Sequence, residues 1–137
     1  MLLRLILTGC CMFAFMSDLV SATAIYVSPA GSDVNGSGIW QNPYLTINKG
    51  ITMAANGDSV VLMDGTYSGN GNRNLSYGGK AITITSLSTN ATYVTIDCGG
   101  SPNRAFVFDQ GETTTSVLAH VTITNGDVHS RQINGVD

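Results

Sequence analysis

The stretch Asn56-Gly57-Asp58-Ser59-Val60-Val61-Leu62-Met63-Asp64-Gly65-Thr66-Tyr67 decides how this chain is built. A breaker pair, Asn56 and Gly57, is followed by the apolar run Val60 to Met63 and then by a second breaker pair, Asp64 and Gly65. Four apolar residues bounded by turn formers read as a short buried strand with a turn at each end. The same grammar recurs downstream. Ala81 to Ser86, Tyr93 to Asp97, Ala105 to Asp109 and Val117 to Asn125 are brief β-branched or aromatic runs separated by Gly, Asn, Ser and Thr. Alternation along these runs points Val60, Leu62, Ile82, Ile84, Val94, Ile96, Phe106, Phe108, Val121 and Ile123 inward. It points Thr83, Thr85, Thr95, Thr122 and Thr124 outward.

Upstream, the period changes. From Thr46 to Ala55, Ile47, Ile51 and Ala54 or Ala55 fall on one face, with Asn48, Lys49 and Thr52 opposite. This predicts a short amphipathic helix capped by Thr46 at its start and Gly57 at its end. Gly50 inside it costs about 1 kcal/mol relative to alanine, so tertiary packing must hold the helix. A lone helix ahead of stacked strands is suited to covering the open end of the stack. Before it, Ile25 to Val27 reads as a strand and Ser28 to Gly38 as a surface loop with three glycines. Trp40 and Tyr44 flank Asn42-Pro43, and are candidates either for stacking against a carbohydrate ring or for covering an apolar end of the core.

The first 24 residues are a separate object. Arg4 provides a positive start, Leu5 to Met16 is largely apolar, and Ala22-Thr23-Ala24 offers small residues at a cleavage site, which is the pattern of a secretory signal peptide. The apolar core is too short for about 30 Å of hydrocarbon, and Asp18 interrupts it, so a membrane anchor is disfavoured. No later stretch is long and apolar enough to span, so no membrane span is expected after cleavage. The expected product is secreted or held at an extracellular surface. Cys10 and Cys11 would leave with the signal, and Cys98 has no internal partner. It is either a small buried or turn-flanking residue, or one that bridges to another molecule or to a cysteine further along a longer parent chain. A formal charge of −3 and the absence of a basic cluster exclude nucleic acid as an expected partner.

Three blocks carry a resemblance. Ile25-Tyr26-Val27-Ser28-Pro29-Ala30-Gly31-Ser32-Asp33, Asn42-Pro43-Tyr44-Leu45-Thr46-Ile47, and Gly57 to Leu62 with Asp64-Gly65-Thr66-Tyr67 resemble, in that order, the N-terminal coil of secreted right-handed parallel β-helix proteins of the pectin-lyase-like superfamily. The match covers Ile25 to Gly126. It implies an all-β fold, a right-handed parallel β-helix of about three coils with a short N-terminal capping helix at residues 46–55. Spacings of 24 residues between Ala81-Ile82-Thr83 and Ala105-Phe106-Val107, and of 27 between Val94-Thr95-Ile96 and Val121-Thr122-Ile123, suit coils of variable length. An immunoglobulin-like sandwich would also give short strands, but it leaves the helix unexplained and lacks its Cys and Trp pairing.

The resemblance implies two function classes. One is a secreted scaffold that binds or adheres to an extracellular polysaccharide or cell-surface glycan through a Thr- and Asn-rich face. The other is the N-terminal part of a polysaccharide lyase or other carbohydrate-active enzyme. Elimination chemistry in that superfamily needs converging carboxylates, calcium and a tuned Arg or Lys base. The candidates here are Asp64, Asp97, Asp109, Lys80 and Arg104, and Asp97 and Asp109 read first as turn residues. No catalytic residue carries over, and no cofactor or metal ligand is expected; calcium enters only if the parent is a lyase. His120 and His129 lack a metal-ligand spacing. Asn35, Asn74 and Asn90 head glycosylation sequons. Residues 127–137 read as a polar tail, expected to be disordered and to follow an uncapped last coil. This points to a fragment of a longer protein or to end-to-end self-association.

Overall fold

The computed structural model describes residues 21–127. The expected signal peptide and polar tail therefore lie largely outside the described residues. What is described is mostly β, with parallel sheets and one helix. Nine short strands are β1 (Ala24–Val27), β2 (Ser59–Leu62), β3 (Gly65–Ser68), β4 (Leu75–Ser76), β5 (Thr83–Ser86), β6 (Val94–Asp97), β7 (Phe106–Val107), β8 (Val117–Ala119) and β9 (Thr122–Thr124). The helix α1 is Ile47–Met53. The strands form three sheets ordered β1-β2-β5-β8, β3-β6-β9 and β4-β7. Every strand pairing in them is parallel. From β2 onward the chain visits the three sheets in rotation, returning each time beside the strand it left one round earlier.

Register makes the core. Ile25, Val60, Ile84 and Leu118 stand in one rank, and Tyr67, Ile96 and Ile123 in another. The inward members Val27, Val60, Leu62, Ile82, Ile84, Val94 and Ile96 are all buried, as alternation required. Tyr67 pins one sheet to the next: its buried hydroxyl lies 2.9 Å from the Val27 carbonyl and 2.8 Å from that of Met63. Burial pushes its pKa far up. Ser86 breaks the apolar pattern in the rank of Val27 and Leu62, with a buried hydroxyl that finds no hydrogen-bond partner.

The helix lies against β1, β2 and β4. Thr46 caps it, accepting from Lys49 N at 3.1 Å. The next two orphan donors are met by residues more than twenty positions later: Ile47 N donates to Asn72 Oδ1 at 2.9 Å and Asn48 N to Gly71 O at 2.9 Å. Gly57 does not cap the other end. Ala54 leaves the helix in an extended conformation, and Lys80 Nζ instead donates to the carbonyls of Ile51, Thr52 and Ala54 at 2.7, 3.1 and 2.9 Å. A cation at a helix C-terminus also opposes the helix dipole favourably. Gly50 is required by contact: a Cβ there would sit 2.8 Å from both Val27 Cγ2 and Val60 Cγ1.

Several expectations need correcting. The run Val117 to Asn125 is two strands in different sheets, because His120 adopts φ +56° and turns the chain between them. Asp64-Gly65 does end β2, but the turn is short: Gly65, at φ +141°, opens β3 in the next sheet. β4 was not anticipated, and β7 is only two residues long. Tyr93 belongs to a 3-10 turn, Ala91–Tyr93, ahead of β6. Phe108 and Ile123, expected inward, are 52% and 47% exposed, because no described strand lies above them. With Arg104, Phe106, Leu118 and Asp127 they line an open hollow of about 340 Å³ at the end of the stack remote from α1.

Two stability tests follow from these contacts. Gly50→Ala raises intrinsic helix propensity yet is expected to destabilise by about 1–3 kcal/mol in urea unfolding, because overpacking outweighs propensity. Ser86→Ala is expected to leave the unfolding midpoint unchanged or raise it, since it removes an unsatisfied buried hydroxyl.

Candidate functional site

The outer face of the β3-β6-β9 sheet is a polar surface built by register alone. Because Tyr67 and Ile96 are buried beneath it, their neighbours must point out. Thr66, Thr95 and Thr122 form one rank across the strands, and Ser68, Asp97 and Thr124 the next. Neighbouring members of a rank are about 4.8 Å apart, and the ranks about 6.6 Å apart. Thr122 Oγ1 donates to Ala91 O at 2.8 Å. Among the described residues, the hydroxyls of Thr66, Ser68, Thr95 and Thr124 make no hydrogen bond to protein and stay open to a ligand.

One end of this face carries a cluster of amide, carboxylate and guanidinium groups. Asp97 Oδ1 accepts from Asn125 Nδ2 at 2.9 Å and from Gly99 N at 2.9 Å. Arg73 donates through Nη1 to Cys98 O and through Nη2 to Asn70 Oδ1, both at 3.3 Å. The Asn125 bond first, then that from Gly99, holds the Asp97 carboxyl below its ordinary pKa, and the Arg73 charge adds to the effect. The Asp97 turn toward Gly99 is the role its sequence position suggested. At the other end of the strand Tyr93 is 54% exposed. From Tyr93 to Asp97 the surface runs about 13 Å, given the rise of a strand.

The residues singled out in sequence are placed as follows. Trp40 is half-exposed, and its partner is Tyr26, with ring centroids 5.6 Å apart edge to face. Tyr44 is buried, its ring against Gly38 and with Lys49 Nζ 5.6 Å from the centroid. The two therefore do not make a joint stacking platform. Asp33 is the cause: its carboxylate accepts from Leu45 N, Thr46 N and Thr46 Oγ1, drawing the loop inward. The sequon asparagines Asn35, Asn74 and Asn90 are all exposed. Asn74 is committed, with Nδ2 donating to Asn103 Oδ1 at 2.9 Å and Oδ1 accepting from Arg104 N at 3.0 Å. Lys80 is spent on the helix end, so it does not converge with Asp64, Asp97 or Asp109 as a proton-abstracting base. No group of three or more His, Cys, Asp or Glu among the described residues is placed to hold a metal ion. His120 lies 3.0 Å from Thr85 Oγ1 through Nδ1.

Cys98 is fully buried, and burial pushes its thiol pKa up. A bridge between native molecules would need that side chain at the surface. Thr66, Ser68 and the Asn70, Arg73 and Asn125 cluster were not singled out in sequence. The available signal was the outward Thr set, which marks the face but not its neighbours on the following turn.

No protein-family model matches the chain, and no curated protein matches it. Among solved structures, it is similar to a chain described as "The complex structure of XylC with xylose", at 29% sequence identity and a TM-score of 0.43. The alignment covers 55% of this chain and 12% of that one.

Two measurements examine these assignments. Native protein is expected to react with a thiol reagent only at the rate of unfolding, and fast stoichiometric labelling of Cys98 would show the burial to be wrong. Asp97 has a depressed folded pKa, so its contribution is present above the unfolded value of about 3.9 and is lost as pH falls through the lower folded value. Asp97→Asn is expected to flatten that acid limb of the stability profile; superimposable profiles would remove Asp97 from the account.

Proposed function

We propose that this chain is a secreted right-handed parallel β-helix module that binds an extracellular polysaccharide on the outer face of β3, β6 and β9. The rotation of the chain through three parallel sheets supports the β-helix part of the reading. The observation that carries the binding part is the double rank of open hydroxyls ending in Asn70, Arg73, Asp97 and Asn125. Sugar hydroxyls are matched by hydroxyl, amide and carboxylate partners, and such groups fix orientation where a few of them converge. Tyr93 supplies an exposed ring at the opposite end.

Charge narrows the ligand to a neutral polysaccharide. Among the described residues the cations are Lys49, Arg73, Lys80 and Arg104. Lys80 is held by three carbonyls, and Lys49 lies at the buried Tyr44 ring. Arg73 stands near Asp97, and Arg104 shares the rim of the end hollow with Asp127. A polyuronate would therefore meet the Asp97 carboxylate at one end of the face without a track of opposite charge. No described observation favours the alternative reading as the N-terminal part of a carbohydrate-active enzyme.

The test is affinity electrophoresis of the purified protein in gels containing arabinoxylan, mixed-linkage glucan, galactomannan or polygalacturonate. Retardation by a neutral polymer is expected. Thr95→Val, which keeps the strand and removes a hydroxyl, should weaken it about threefold to tenfold, in line with the loss of one hydrogen bond. Retardation that is unchanged in Thr95→Val and in Asp97→Ala would place binding elsewhere. Stronger retardation by polygalacturonate would reverse the charge argument, and no retardation in any gel would remove the glycan-binding reading.

A further inference from the structure

We propose that the secretory leader is removed between Ala22 and Thr23, and that the α-ammonium group this creates on Thr23 is received by the buried carboxylate of Asp58. The inference rests on the secreted reading above and fixes what that reading leaves open. In sequence, two bonds have alanine just before the cut: the one after Ala22, with the β-branched Val20 two residues earlier, and the one after Ala24, with the small Ala22 two residues earlier. The fold distinguishes them.

Asp58 is 7% exposed. Its Oδ2 accepts from Ala55 N at 2.8 Å, closing the turn after α1, and its Oδ1 accepts from Thr23 N at 2.8 Å. Both described partners are backbone donors, and a buried carboxylate is costly unless it is paired with a cation. The Thr23 nitrogen is the one donor here that processing can make cationic. Hydrolysis at Ala22 adds water across the amide: the Ala22 carbonyl becomes a carboxylate on the departing leader, and the Thr23 nitrogen becomes an amine. With an ordinary α-amino pKa of about 7.7–8.0, that amine is mostly protonated at neutral pH. It would then face Asp58 Oδ1 at hydrogen-bond distance with no movement of the backbone.

Cleavage after Ala24 would have the opposite effect. It would remove Thr23 N from Asp58 and Thr23 O from Ser59 N, which it accepts from at 2.9 Å. It would also remove the Ala24–Ser59 position of the β1–β2 pairing. Residues 21–24 are exposed, so nothing among the described residues covers the Ala22–Thr23 bond.

The full chain should be produced in a secreting host, and the exported protein examined by intact mass and N-terminal sequencing. The expected first residues are Thr-Ala-Ile-Tyr. A protein starting at Ile25 overturns this inference and leaves secretion standing; a product that retains Met1 and stays in the cell overturns the secreted reading and the inference together. The ammonium contact has its own test. Retaining Ala22 at the N-terminus of the mature chain replaces the charged group by an amide, and is expected to lower the melting temperature by about 5 °C. In an Asp58→Asn background the same one-residue extension is expected to change it by less than about 1 °C, because the charge partner is gone. Equal melting temperatures with and without Ala22 in the wild-type background would show that Asp58 does not receive the new terminus.

Discussion

The register of the parallel ladders is the constraint on which everything else depends. A shift of one residue in any strand would turn its inward set to solvent, so the rank Ile25, Val60, Ile84 and Leu118 specifies the pairing as firmly as the hydrogen bonds do. The same register makes the outer faces uniform. Thr66, Thr95 and Thr122 coincide because Tyr67 and Ile96 are required inside. The proposed ligand surface is thus a by-product of core packing, which places its groups on a rigid support.

The helix is held from outside itself. Seven residues are too few to be stable in isolation, and most of their terminal groups are satisfied by the following round of strands. Asn72 and Gly71 serve the N-terminus, and Lys80 serves the C-terminus. Gly50 lets the helix axis come close enough for Val27 and Val60 to pack on its backbone. The local cost of glycine in a helix, about 1 kcal/mol relative to alanine, is outweighed by this close packing. The arrangement also removes Lys80 from chemistry: a cation holding three carbonyls would have to abandon all three to take a proton from a substrate.

How much of this could be read in the sequence depended on what terminates each element. β2, β5 and β6 were legible because residues of high β-propensity alternate between breakers, and α1 because its apolar period is helical. β3 and the division of β8 from β9 were not, since each corner is made by a single residue with positive φ, Gly65 in one case and His120 in the other. A histidine between apolar residues gives no turn signal. The inward assignment of Phe108 and Ile123 followed from alternation, which knows faces but not whether a strand lies above. Of the two readings open to Trp40 and Tyr44, covering the core is the one Tyr44 takes. Sequence proximity left a carbohydrate platform open as well, but the Asp33 carboxylate, acting from more than ten residues away, fixes Leu45 and Thr46 and carries Tyr44 into the core.

A rigid hydroxyl face has a thermodynamic consequence for recognition. Binding by flexible loops spends much of its interaction energy on ordering side chains, about 0.5–1.5 kcal/mol for each rotamer-rich group immobilised. Threonine on a strand is already stiff at χ1, because its branched Cβ limits rotation. Thr66, Thr95 and Thr124 therefore lose little on meeting a ligand, as does Asp97, which Asn125 and Gly99 already orient. Each contact is weak, since an exposed hydroxyl exchanges one hydrogen-bond partner for another. Affinity from such a surface must come from repetition along a polymer whose own units repeat. A strand-spaced array of identical groups favours a long, regular, uncharged chain over a single sugar, and it gains contacts as the polymer lengthens.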